Sequence, residues 1–175
     1  AFSYCDNLTS ITIGNSVTTI GEYAFEDCSS LTSVTIGDSV TTIGSSAFEG
    51  CSSLTGIWVD EDNTAYSSDN RGVLFNKDKT QLIQAPGGIS GSYIVPTAVT
   101  SIGEDAFYDC GSLTSVTIGN GVTSIGNDAF YKCTSLTSIT IGSSVSTIGV
   151  HAFYACASLT SITIADSVTT IGSSA

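Results

Sequence analysis

Six cysteines and one histidine are the residues of this 175-residue sequence best suited to chemistry. In an oxidising compartment an even number of thiols reads as a disulfide framework, and a mixed Cys/His set reads as a zinc site. Spacing argues against both. Cys5, Cys28 and Cys51 lie 23 residues apart, as do Cys110, Cys133 and Cys156, and no two form a Cys-x-x-Cys pair. Equivalent places in a repeat put the thiols in one column, where a small apolar side chain fills space. Reduced structural thiols are therefore expected, with a Cys5–Cys28 bridge left open on distance alone.

Catalysis has less to work with. The plentiful serines and threonines need a base within hydrogen-bond reach and a third group to orient it. The one histidine, His151, takes a place held elsewhere by Tyr23, Ser46, Asp105, Asp128 or Ser174, as a tolerant surface position would. Glu22, Glu26, Asp27, Glu49, Glu104, Asp105 and Asp109 gather around Ala-Phe dipeptides and read as a solvated edge. The run Asp60-Glu61-Asp62-Asn63 offers oxygens for a weak Ca²⁺ site but lacks the EF-hand spacing and its glycine. No catalytic residue, cofactor or metal is expected.

The elements that carry these residues follow from the repeat. Ala-Phe-x-x-Cys recurs from Ala1, Ala24, Ala47, Ala106, Ala129 and Ala152, and the long step from Cys51 to Cys110 holds one divergent unit plus a short insertion. Tyr93-x-Val95-Pro96-x-x-Val99-x-x-Ile102-Gly103 overlays Ile11-x-Ile13-Gly14-x-x-Val17-x-x-Ile20-Gly21. The result is seven coils in one domain over residues 1–175, irregular over about 60–92. Ser10-Ile11-Thr12-Ile13 alternates like a half-buried strand, Val17-Thr18-Thr19-Ile20 like a second, shorter one, and Ala-Phe-x-x-Cys like a tight or 3₁₀ turn. Gly14 and Gly21 mark corners, through positive φ or close backbone approach. One unit cannot cover its own apolar row, so stacking must set Leu on Leu and Phe on Phe.

Charge narrows the partners. Sixteen acids against four Lys and Arg leave a formal charge of −12, with almost no cations to release counterions from phosphates or to approach anionic lipid. Nucleic acid and membrane surface are not expected. No run reaches the roughly 18–20 apolar residues that a membrane-spanning helix needs.

The pattern Ala24-Phe25-x-x-Cys28-x-x-Leu31-Thr32-Ser33-Val34-Thr35-Ile36, followed by Ser39-Val40-x-x-Ile43-Gly44 and repeated over nearly the whole chain, resembles the BspA-type leucine-rich repeat. Gly72-Val73-Leu74-Phe75 and Tyr93-x-Val95-Pro96 are similar to an irregular element of that family, while Gly14, Gly37, Gly119 and Gly142 stand where the family usually has Pro. The resemblance implies a mainly β leucine-rich repeat solenoid. It would carry a parallel strand ladder on its concave face, short extended segments and turns elsewhere, and a hairpin-like insertion in the middle. It also implies a non-enzymatic adhesion or protein-recognition module, extracellular or at the cell surface.

On such a ladder Ser10, Ser33, Gly56, Ser115, Ser138 and Ser161 form one outward column, and Thr12, Thr35, Trp58, Thr117, Thr140 and Thr163 the next. These hydroxyls either cover a regular sheet or form a recognition face. Trp58 is either an aromatic anchor for a partner or packs under a hairpin of Val73–Asn76 with Thr80–Ile83. Together with Tyr66, Arg71, Tyr93 and the Thr column it marks the expected contact region for a protein on a host or neighbouring-cell surface or in matrix. The alternatives are a structural spacer or filament-forming segment, and lattice binding to ice or polysaccharide through the Ser/Thr ladders. Uncovered end coils also predict self-association.

Overall fold

The computed structural model describes residues 1–175 and contains fifteen short strands and no helix. In chain order these are β1 (Ser10–Ile13), β2 (Thr19–Ile20), β3 (Ser33–Ile36), β4 (Thr42–Ile43), β5 (Gly56–Val59), β6 (Tyr66–Ser68), β7 (Leu74–Asn76) and β8 (Gln81–Gln84). The second half holds β9 (Gly91–Ile94), β10 (Ser101–Ile102), β11 (Leu113–Thr117), β12 (Ser124–Ile125), β13 (Ser138–Thr140), β14 (Thr147–Ile148) and β15 (Thr170–Ile171).

A regular coil contributes one rung to a concave parallel ladder and a second rung to a narrower one. On the concave side β1-β3-β5 and β9-β11-β13 form two sheets, with Thr12 opposite Thr35, Thr35 opposite Trp58, and Thr117 opposite Thr140. The narrower ladder comprises β2-β4 and the run β8-β10-β12-β14-β15. Alternation does the sorting: in β3, Val34 and Ile36 are buried while Thr35 faces out. Phe25 stacks between Phe2 and Phe48 at 5.4 and 5.5 Å, and Phe130 between Phe107 and Phe153 at 4.8 and 5.3 Å. Each buried Phe or Leu contributes about 1.5–3 kcal/mol of transfer energy that a lone coil could not collect.

Part of the Ser/Thr richness is explained by bonds between coils. Thr32 Oγ1 donates to the Thr9 carbonyl at 2.8 Å, Thr55 to Thr32 at 2.9 Å and Thr137 to Thr114 at 3.0 Å. A second hydroxyl column runs from Thr100 onto Thr80, from Thr123 onto Thr100 and from Ser146 onto Thr123. The glycines serve the same stacking. A β-carbon at Gly149 would stand 2.5 Å from the backbone N of Asn127 in the coil before it, whereas Gly14 and Gly21 have open space in front of them and no positive φ. Close approach, then, is what the corner glycines provide. The left-handed backbone falls on other residues: Tyr23, Ser46, Asp105, Asp128, His151 and Ser174 all have φ between 51° and 55°.

The irregular middle is an antiparallel β6-β7-β8 hairpin system. It seals the break it creates. Asn63, 23 residues after Val40 in the valine column, is fully buried. Its amide donates to the carbonyls of Gly37 (2.8 Å) and Val40 (3.0 Å) and accepts from the N–H groups of Ala65 and Tyr66. β7 ties the halves together: Leu74 packs into the core of the first coils, while Val73 and Phe75 pack into that of the later ones. In the seventh coil Ser161–Ile164 lies in the expected place but forms no strand.

Candidate recognition surface

Trp58 sits on the concave face, 39% exposed, in line with Thr35. Its ring covers Gly56, with Cε2 and Cζ2 2.5 Å and Nε1 2.6 Å from where a β-carbon would be. At that exposure it is not buried beneath the hairpin. Thr12, Thr35, Thr117 and Thr140 are exposed on the same face, as is Thr163, although the Thr163 segment makes no ladder pairing with β13. Ile94 pairs with Thr117 and therefore occupies the Thr column, 72% exposed. Nothing in its type marks Ile94 as an outward residue; its place follows from the overlay of Tyr93 on Ile11, which sets Ile94 on Thr12, and the register between β9 and β11 agrees.

Tyr66, Arg71 and Tyr93 each make a bond that holds the insertion to the stack, and of the three only Tyr93 is buried. The Tyr66 hydroxyl accepts the Ile43 N–H at 2.9 Å, standing in for the rung that β4 lacks. Arg71 donates to the carbonyls of Ser90 (2.8 Å) and Ser92 (3.1 Å), capping the open edge of β9, while the Gly72 carbonyl takes the Ile57 N–H on the edge of β5. Tyr93 is 4% exposed and points inward, because it pairs with Val116 on the apolar side of the ladder. Its hydroxyl donates to Asp69 Oδ2 at 2.7 Å. Aromatic and cationic residues in an insertion look like contact residues, but the broken ladder needed them as caps.

Six copies of the BspA-type leucine-rich repeat region match residues 1–82 and 90–175. The chain belongs to the BspA-type leucine-rich repeat family. The gap in the match, residues 83–89, runs from the end of β8 through the turn before β9, the part of the fourth coil that departs furthest from the repeat. Among solved structures, the pneumococcal vaccine antigen PcpA superposes with a TM-score of 0.83 at 29% identity, over 94% of this chain and 47% of that one. A leucine rich cell surface protein from Faecalibacterium prausnitzii gives 0.79 at 29% identity, over 97% and 51%. The leucine-rich repeat protein of T. pallidum, with a TM-score of 0.51 at 21% identity over 87% and 78%, shares the fold alone. This chain thus spans about half the length of the first two. No curated protein matches it. BspA-type repeats are generally non-enzymatic and typical of surface or secreted recognition modules.

In this BspA-type solenoid the cysteines form a thiol column without disulfides. From Cys28 onward the Sγ reaches back one coil: Cys28 to the Phe2 carbonyl at 3.1 Å, Cys51 to Phe25 at 3.1 Å and Cys133 to Phe107 at 3.2 Å. Burial pushes the Cys51 thiol up to about 12, so it stays neutral. His151 is more constrained than a tolerant surface site. It is left-handed, lies edge-on to Tyr131 and Tyr154, and stands 3.4 Å from Asp128. In the 60–63 run, Asn63 is consumed in the core and Asp60 Oδ1 accepts the Asp62 N–H. The carboxylate edge is not uniformly solvated either: Glu49, Asp105 and Asp109 are half-buried, and desolvation raises all three, Asp105 to about 6.

Proposed function

We propose that this chain is a non-enzymatic recognition module of a secreted or cell-surface protein, binding a protein on a host or neighbouring-cell surface or in matrix through its concave ladder. The observation that carries the reading is Trp58, held half-exposed over Gly56 in an uncharged field of hydroxyls. Ile94 adds a second apolar projection in the same column. Large side chains set among small polar ones are how interfaces concentrate binding energy. The description of one relative as a cell surface protein and another as a vaccine antigen supports the location. Two bulky interruptions of the Thr column oppose a lattice-matching role, which needs an even face.

The test is a titration of labelled chain onto matrix proteins and intact cells. Trp58→Ala and Ile94→Thr should each weaken saturable binding at least tenfold, about 1.4 kcal/mol. Undiminished binding by both variants would remove this face from the account.

A further inference from the structure

The geometry points to a second site away from the concave face: a groove along the Ala-Phe turns that takes an extended basic peptide. The groove has a volume of about 620 Å³ and runs from Tyr23 to Ser174 past every regular turn between them. Four regular coil steps at roughly 4.8 Å, plus the direct contact of Ser46 with Asp105, make its length on the order of 25 Å, the span of about seven residues of extended chain. A small amine would fill only part of it.

Its walls are phenol and carboxylate. Tyr108, Tyr131 and Tyr154 stack at 4.9 and 5.3 Å, so their faces cover one another, and the groove meets ring edges and hydroxyls. A sugar, which stacks on an open ring face, finds none in the interior of this pile. Glu49, Asp105 and Asp128 stand beside the rings. The fourth coil passes this edge as Ala85-Pro86-Gly87-Gly88, without acids or aromatic rings. Ser46 of the third coil therefore reaches Asp105 of the fifth directly, donating at 2.5 Å, and brings Glu49 into the same field.

Apart from His151, whose Nδ1 stands 3.4 Å from Asp128, no cationic side chain pairs with these carboxylates. Arg71, Lys77 and Lys79 bond to backbone carbonyls of the insertion and of β9 and its lead-in. Lys132, the remaining cation, sits 5.4 Å from the Tyr131 ring centroid, so an ammonium group already rests against this ladder. Desolvation, together with Glu49, Glu104 and Asp128, raises the Asp105 carboxyl even though Ser46 donates to it. A guanidinium placed there would relieve that repulsion. Metal binding fits less well, since no three acids or histidines converge closely enough to hold an ion.

The experiment is fluorescence anisotropy with labelled octa-arginine and a Gly/Ser octapeptide at about 0.15 M salt, where long-range charge effects are largely screened. Wild-type chain should bind octa-arginine saturably and ignore the neutral peptide. Glu49→Gln/Asp128→Asn should weaken binding at least tenfold. Asp60→Asn/Glu61→Gln, which removes equal charge from the insertion, should change it less than twofold. Circular dichroism melts check that both double variants are folded. Equal weakening in the two pairs would mean bulk charge alone and would overturn the proposal. So would absence of saturation, or displacement of the peptide by spermine at equal concentration, which would assign the groove to small amines.

Discussion

The Trp58 indole occupies the space above Gly56 that a side chain on Gly56 would need, its ring atoms 2.5–2.6 Å from the vacant β-carbon position. The two departures from Ser-x-Thr in the third coil are thus one feature. A single methyl would undo it: Gly56→Ala must displace the ring, whose atoms are the three nearest to the vacant position. Stability should change by less than about 1 kcal/mol, because the obstacle is a flexible side chain on the surface. Emission of this single tryptophan should shift to the red as it swings into water, and partner binding should fall as in Trp58→Ala. An unmoved spectrum would refute the coupling.

Asn63 is the polar residue whose loss should cost most. Asn63→Ala leaves the Val40 carbonyl and the N–H groups of Ala65 and Tyr66 without their partner in a buried place. A penalty of about 2–4 kcal/mol follows for several orphaned groups. Hydrogen exchange should accelerate first at Ala65 and Tyr66, while the later coils remain protected. Uniform acceleration across all coils would argue that Asn63 does not act locally.

The thiol column predicts selective chemistry. Cys5 and Cys156 are partly exposed and the other four are buried, so a thiol reagent should titrate two groups in the native chain and all six in denaturant. Burial raises the Cys51 pKa to about 12. Below about pH 8.5 the thiol is neutral in folded and unfolded chains alike, and its packing counts in full. Above that the unfolded chain ionises first, so stability should fall as pH rises toward 12. Six equally reactive native thiols would contradict the column.

Asp105 should tilt the acid side of the same profile. Its carboxyl is raised to about 6 by desolvation, assisted by the charges of Glu49, Glu104 and Asp128 and opposed by the Ser46 hydrogen bond. The folded state therefore holds this proton longer than the unfolded one, and stability declines as pH climbs from about 4 through 6. Asp105→Asn keeps an acceptor for Ser46, tolerates the φ of 55°, and removes that slope. Urea denaturation should find it more stable than wild type at pH 7 and indistinguishable at pH 4. The same difference at both values would exclude ionisation as the cause.

The coil number, the strand registers, the stacked Phe and Leu and the thiol column were all legible in the amino-acid sequence. A repeat makes each contact a comparison of position i with i+23, and like must lie on like for any coil to be covered. The overlay of Tyr93 on Ile11 survives in the pairing of Tyr93 with Val116. What the sequence could not show is where that phase is lost. Tyr66, Arg71 and Asp69 look like surface chemistry by type. Their partners Ile43, Ser90, Ser92 and Tyr93 are set by how the hairpin returns to the stack, and that path is a tertiary fact. Trp58 could be read either way until Gly56 was seen beneath it. Periodicity dictates the scaffold because it is local and repeated. The surfaces that bind are decided where the repeat fails, since there each side chain answers to a neighbour brought near by folding rather than by spacing.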